Sequence, residues 1–313
     1  MKLEKADAGS KVKWIGATVE SGIDDSLGPF VEVTIPQEKV EKLLSESRNF
    51  LKAPVIGVRQ LRSYAGSMAF VAGLVPVLRP FLSPLWAALS KGAANDGNPG
   101  RTGSAGKSRV AGKLVHTKRI AASLHWVIAL LQGEHGKLKR RFDALRKDEG
   151  WEIVTDACPW GIGGILYKDS IPQGWFSADL NAAVLDKFKA KKGDSGFNTA
   201  WEALALLTAL RLWLPRLPKM LSVRVKSDNV GALRMLLSLT SSSEPLGVIA
   251  REVALDIAGD NYQISELVHV AGITNVAADA LSRLWAPQPE PLPNLGEAVQ
   301  DVTPDFGPDF WKV

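Results

Sequence analysis

The stretch Thr199–Leu214, TAWEALALLTALRLWL, constrains this chain more than any other. From Ala203 onward it is apolar except for Thr208 and Arg211, and it is too long for a strand. A helix that is apolar nearly all round has no face for water, so it must be covered inside a domain. The flanking segments supply the cover. Upstream, WEIVTDACPWGIGGILYKD (151–169) reads as two strands and a turn, and QGWFSAD (173–179) as a third strand. Downstream come a strand (LSVRVKSD), two helices (NVGALRMLLSL and GVIAREVALDIAG), a strand (YQISELVHV) and a last helix, NVAADALSRLW. This β-β-β-α-β-α-α-β-α order predicts an α/β domain over 151–286, a mixed five-stranded sheet flanked by helices.

The region 1–90 reads differently. Two β-like pieces, VKWIGATVE and FVEVTIP, lead into a helical run from Gln37, and a second helical region follows over 57–82, interrupted by prolines. A smaller, mainly helical region is expected here. Residues 91–119 begin KGAANDGNPGRTGSAGKS and read as a flexible basic linker. Its Gly-Lys-Ser is not a phosphate-binding loop, because Arg101 occupies the place of the required first glycine and no strand precedes it. Residues 120–150 are expected to be a basic helical connection that includes KLKRRFDALRK (137–147). The tail 287–313 is rich in proline and acids and is expected to be poorly ordered.

Charge narrows the partners. From Arg101 to Lys147 there are 12 Lys or Arg against two acids, Glu134 and Asp143, an excess that suits a polyanion or else a solvated linker and helix. Lys137, Lys139, Arg140 and Arg141 are the candidate nucleic-acid contacts. One cysteine allows no internal disulfide, and four histidines with one thiol make a poor structural zinc site. The N-terminal MKLEKADAGSK has no signal-peptide core, so an intracellular protein is expected. The most apolar window, Met68–Leu89, holds Pro76, Arg79, Pro80 and Pro84, which argues against a membrane span.

Four carboxylates sit at element ends: Asp156 and Asp228 close strands, and Glu202 and Asp279 lie near helix starts. Each has a plain alternative. Asp156 can shape a turn and Asp228 can cap a helix. Thr199-Ala-Trp-Glu202 fits a capping box, and Asp279 suits the positive end of a helix dipole. Gathered at one end of a sheet, four anions would repel one another unless cations intervened. Hard oxygen ligands of this kind suit Mg²⁺ or Mn²⁺, and a pair of such ions can drive phosphodiester cleavage.

TDACPWGIGG, TAWEALALL, VKSDNVGAL and HVAGITNVAADALSR resemble the ribonuclease H domains of retrotransposon polyproteins, of the gypsy-like and DIRS-like groups. The resemblance covers about Trp151 to Trp285. It implies a ribonuclease H-like fold, with Asp156, Glu202, Asp228 and Asp279 as ligands of two Mg²⁺ or Mn²⁺ ions. It also implies that His269 is a mobile histidine aiding proton handling or product release; the plain alternative is a histidine ending a strand. The implied substrate is an RNA–DNA hybrid. The N-terminal region is similar to the end of a reverse-transcriptase palm and its thumb. No Tyr-x-Asp-Asp-type pair is present, so no polymerase activity is expected from this chain alone; the polymerase portion of such a product is a possible partner. The alternatives are an inactive nucleic-acid-binding fragment, a reverse-transcriptase subunit, or a DNA-cutting relative such as an integrase. For Trp151, Trp160, Trp175 and Trp201, core packing is the favoured role over stacking on bases.

Overall fold

The computed structural model describes residues 9–25, 28–94, 114–132, 138–143, 147–218, 221–241, 243–260, 266–296 and 300–312, in two compact units, 1–144 and 145–313. In the first unit, β1 (Lys11–Trp14), β2 (Ala17–Asp24) and β3 (Gly28–Thr34) form an antiparallel meander. The β1–β2 link is the two-residue turn Ile15-Gly16, both with positive φ (46° and 74°), the backbone twist that matches a tight hairpin. Then follow α1 (Gln37–Lys52), β4 (Val55–Gly57), α2 (Val58–Leu74), a 3₁₀ segment (Pro76–Phe81) and α3 (Leu82–Ala94). After them come β5 (Leu114–His116) and α4 (Ala121–Gln132). Leu43, Leu61, Met68, Phe81 and Leu124 are fully buried here, and Ser47 and Tyr64 satisfy each other's hydroxyls at 2.6 Å.

Two expectations for this unit are corrected. Within KLKRRFDALRK, the segment KRRFD is a strand rather than a helix: β6 (Lys139–Asp143) pairs antiparallel with β3, adding a fourth strand to the meander. The pairing sets Arg141 opposite Glu32 and puts Lys139 near the same acid, so cross-strand charge pairing outweighs local helix propensity. Within the 91–119 stretch, β5 pairs with β4, and Thr117 donates its hydroxyl to the Ala53 carbonyl at 2.5 Å. The glycine-rich residues 95–113 lie outside the described residues. No helix among the described residues is long and apolar enough to cross a membrane.

The second unit follows the predicted order closely. β7 (Lys147–Ala157), β8 (Gly161–Lys168) and β9 (Ile171–Asp179) form an antiparallel meander. A short α5 (Ala182–Phe188), not foreseen, precedes α6 (Asn198–Trp213); then come β10 (Leu221–Ser227), α7 (Val230–Ser238) and α8 (Glu244–Asp260). β11 (Glu266–His269), α9 (Val276–Arg283) and β12 (Gln300–Asp301) complete the unit. The sheet order is β11-β10-β7-β8-β9-β12, with β10 parallel to both β7 and β11. This is the expected mixed five-stranded sheet flanked by helices, extended at one edge by the two residues of β12. α6 is buried along nearly its whole length, as its composition requires. Trp201 is fully buried against Phe188 and Phe197, while Trp151, Trp160 and Trp175 are half-buried.

The described part of the tail past residue 299 packs on the second unit, contrary to expectation. Residues 300–301 pair parallel with Gly174–Trp175, Phe306 is buried, and Trp311 packs edge-on against Phe188. Proline and acid content describe local propensity, but three aromatics, Phe306, Phe310 and Trp311, bring enough apolar surface to hold the segment down.

Candidate metal centre

β7 and β10 run parallel side by side, so Asp156 near the end of one and Asp228 just past the end of the other emerge at the same edge of the sheet. α6 crosses behind them and brings Glu202 to the same place. One carboxylate oxygen from each of Asp156, Glu202 and Asp228 lies within 4.8 Å of the others. Asp156 is 4% exposed and Glu202 5%.

The plain alternatives are not what these residues do. Asp156 lies within the strand, opposite Gly163, rather than in a turn. The cap of α7 is Asn229, whose side chain accepts from the Ala232 amide at 3.0 Å, leaving the Asp228 carboxylate available. The capping box on Thr199 does not form; Glu202 instead accepts from the Ala157 amide and, at 3.5 Å, from the Ser227 hydroxyl.

Among the described residues no cation pairs with these three acids. Burial, followed by the Asp156 and Asp228 charges, pushes the Glu202 carboxyl up to about 9. Burial likewise raises Asp156 to about 7, against the lowering effect of the Ser282 hydroxyl bond. The donors are all carboxylate oxygens, a chemistry that hard divalent cations such as Mg²⁺ or Mn²⁺ accept. Asp156, Glu202 and Asp228 can together hold a metal ion.

Asp279 stands beside this cluster rather than in it. Its carboxylate is bound by the Arg283 Nε, at 2.7 and 2.8 Å to its two oxygens. His269 ends β11, and its exposed ring meets the Asp228 carbonyl through Nε2 at 3.0 Å, next to the acids but not among them.

Several residues that the sequence did not single out support the centre. Asn275 stands before α9 without capping it through its side chain; its buried amide donates to the Thr155 carbonyl at 3.1 Å and to Asp156 at 3.2 Å. Ser282, fully buried, donates to the other Asp156 oxygen at 2.8 Å. Both reach Asp156 because α9 packs directly on β8 at Gly163, where a Cβ would stand 2.6 Å from the Leu281 Cβ. Gly272 likewise leaves room for the Asp228 carboxylate, which a Cβ would approach to 3.0 Å. The available signal was spacing: Asn275, Asp279 and Ser282 fall at i, i+4 and i+7, one face of a helix.

The four candidate nucleic-acid contacts belong to the first unit. Lys137 lies outside the described residues. Lys139 pairs with Glu32 at 3.4 Å, and Arg141 binds Asp143 at 2.6 Å and Asp24 at 3.0 Å. Arg140 is exposed, its guanidinium 4.4 Å from the centre of the Phe142 ring.

No protein-family model matches the chain, and no curated protein matches it. Solved structures do. RNase H1 from the halophilic archaeon Halobacterium salinarum NRC-1 matches at 17% identity with a TM-score of 0.32, over 42% of this chain and 92% of that one. LC11-RNase H1, isolated from compost by a metagenomic approach, matches at 19% identity with a TM-score of 0.33 over the same shares. The foamy viral protease-reverse transcriptase in complex with an RNA/DNA hybrid matches at 12% identity with a TM-score of 0.24. That match covers 97% of this chain, which spans 30% of the viral protein's length.

Proposed function

We propose that this chain is a metal-dependent ribonuclease H-type endonuclease that hydrolyses the RNA strand of RNA–DNA hybrids. It would be part of a retroelement reverse-transcriptase product, with 1–90 as palm end and thumb. The observation that carries the reading is the convergence of Asp156, Glu202 and Asp228 within 4.8 Å, two of them deeply buried and none paired with a cation among the described residues. Stability alone gives no reason to gather unpaired carboxylates in an apolar domain, because buried charge without a partner is costly. Two divalent ions held there would activate a water for in-line attack and stabilise the leaving oxygen.

The chain's own residues have distinct tasks in this reading. Asp156, Glu202 and Asp228 bind, and Asp279 completes the set from α9. Asn275 and Ser282 fix both oxygens of Asp156, so the carboxylate keeps one orientation as ions enter. His269, hinged on the Asp228 carbonyl at the exposed rim, handles protons or product release. Of the candidates Lys139, Arg140 and Arg141, Arg140 is the one to meet a phosphate backbone, since the other two already have acidic partners.

The test is cleavage of a labelled RNA–DNA hybrid in Mg²⁺ or Mn²⁺ by the wild type, Asp156→Asn and Asp228→Asn. The expected outcome is RNA-strand cleavage that falls by at least about 100-fold in both variants, the scale of losing one electrostatic group at a reacting centre. Tight hybrid binding without cutting in either metal would replace the nuclease with a nucleic-acid-binding role.

A further inference from the structure

Arg283 closes α9 and commits its Nε to both oxygens of Asp279, at 2.7 and 2.8 Å. A second carboxylate, Glu290, lies 3.4 Å from the same nitrogen. All three side chains are solvent-accessible, at 47% for Arg283, 32% for Asp279 and 45% for Glu290. Exposed pairs of this kind exchange partners at little cost.

The helix does not depend on the pair for its position. α9 is fixed by the Asn275 amide on β7, by Ser282 on Asp156, and by the Ser177 hydroxyl on the Leu281 carbonyl at 2.7 Å. Its close approach to β8 at Gly163 adds a steric register. Asp279 nonetheless lies beside Asp156, since the Ser282 hydroxyl meets both the Asp156 carboxylate at 2.8 Å and the Asp279 carbonyl at 2.9 Å. A carboxylate beside a cluster of three others, held by an exposed arginine with another acid in reach, is set to change partners.

We propose that Arg283 is a positioning residue that holds Asp279 aside from the acid cluster and yields it when a second divalent cation binds, with Glu290 as its alternative partner. The proposal rests on the metal-centre reading above. No bond is made or broken; one carboxylate trades a guanidinium for a cation, and the guanidinium moves to the neighbouring glutamate. In consequence the weaker of two metal sites is set by competition with Arg283, and the tighter site on Asp156, Glu202 and Asp228 is not.

The test is Mn²⁺ binding to the full chain, followed by the electron paramagnetic resonance signal of free Mn²⁺. It compares the wild type with Arg283→Gln, Arg283→Lys, Glu290→Gln and Asp279→Asn. The wild type should bind two ions unequally. Arg283→Gln should tighten the weaker site by about two- to fivefold, the scale of an exposed ion pair, and leave the tighter site unchanged. Arg283→Lys should stay close to wild type, Glu290→Gln should loosen the weaker site by up to about twofold, and Asp279→Asn should abolish it. Two wild-type sites that Arg283→Gln leaves unmoved, or weakens, overturn the handover alone, as does a single wild-type site. No wild-type Mn²⁺ binding overturns the metal centre together with it. Should Arg283→Gln not fold, the Glu290→Gln shift decides the matter.

Discussion

The second unit buries two sets of carboxylates and treats them in opposite ways. On α8, Glu252 and Asp256 are 0% and 2% exposed, as deeply buried as Glu202 and Asp156. They are matched by cations. Arg211 of α6 binds Glu252 and Asp256 at 2.7 Å each and donates to the Phe310 carbonyl, and the Lys312 ammonium lies 2.9 Å from Asp256. The acids at the ends of β7 and β10 have no such partner among the described residues. Equal burial with unequal neutralisation separates a structural network from a site that awaits charge from outside. The first set ties α6, α8 and the tail together; the second leaves three carboxylates that could hold a metal ion.

Breaking the paired set should have the largest effect. Arg211→Met takes the 2.7 Å ion pair from buried Glu252 and leaves Asp256 with Lys312, and should cost about 3–5 kcal/mol in denaturant unfolding. A variant within about 0.5 kcal/mol of wild type would show that the two sets do not differ as described.

Relieving the unpaired set should act in the other direction. Without metal, Glu202→Gln should raise the stability at pH 8 by an amount on the order of a few kcal/mol, while removing metal binding. Each kcal/mol relieved should add about 2–4 °C to Tm in a domain of this size. The pH dependence follows with its sign. Asp156 and Glu202 titrate higher in the folded chain, near 7 and 9, than their ordinary 3.8 and 4.5. The folded state therefore holds protons that the unfolded state releases, and the metal-free protein loses stability as pH rises from about 4 through 9. Thermal melts should show that decline, saturating Mg²⁺ should flatten it, and metal affinity should rise over the same range as the ligands shed protons. A metal-free melt that improves with pH would contradict the assignment.

Ser282→Ala and Asn275→Leu should each weaken metal binding by about 10–100-fold, since they free one oxygen of Asp156 and leave the ligand itself intact. Calorimetric titration measures this, and affinities equal to wild type would make both residues mere packing. The smallest effect is expected at the tail. Trp311→Ala removes its edge contacts with Phe188 and Phe310, about 0.5–1.5 kcal/mol for each aromatic pair beyond the area lost, with the acid cluster's metal affinity unchanged.

The sequence determined the order of elements in the second unit apart from α5 and β12, because hydrophobic period and turn residues are local properties. It determined that Thr199–Leu214 is a buried helix, since no surface tolerates that composition. It also marked Asp156, Glu202, Asp228 and Asp279 as acids at element ends. Tertiary structure decided the rest. KRRFD became a strand because β3 offered it opposite charges, a partner some hundred residues upstream that no local window contains. The tail docked because distant aromatics and Arg211 met it. Asp279 turned to Arg283 while three other acids converged, a choice of rotamer and neighbour that element order does not encode. Asn275 reaches Asp156 because Gly163 lets the helix come close enough. Period and propensity act over a few residues; charge pairing and close approach act across whatever the fold brings together.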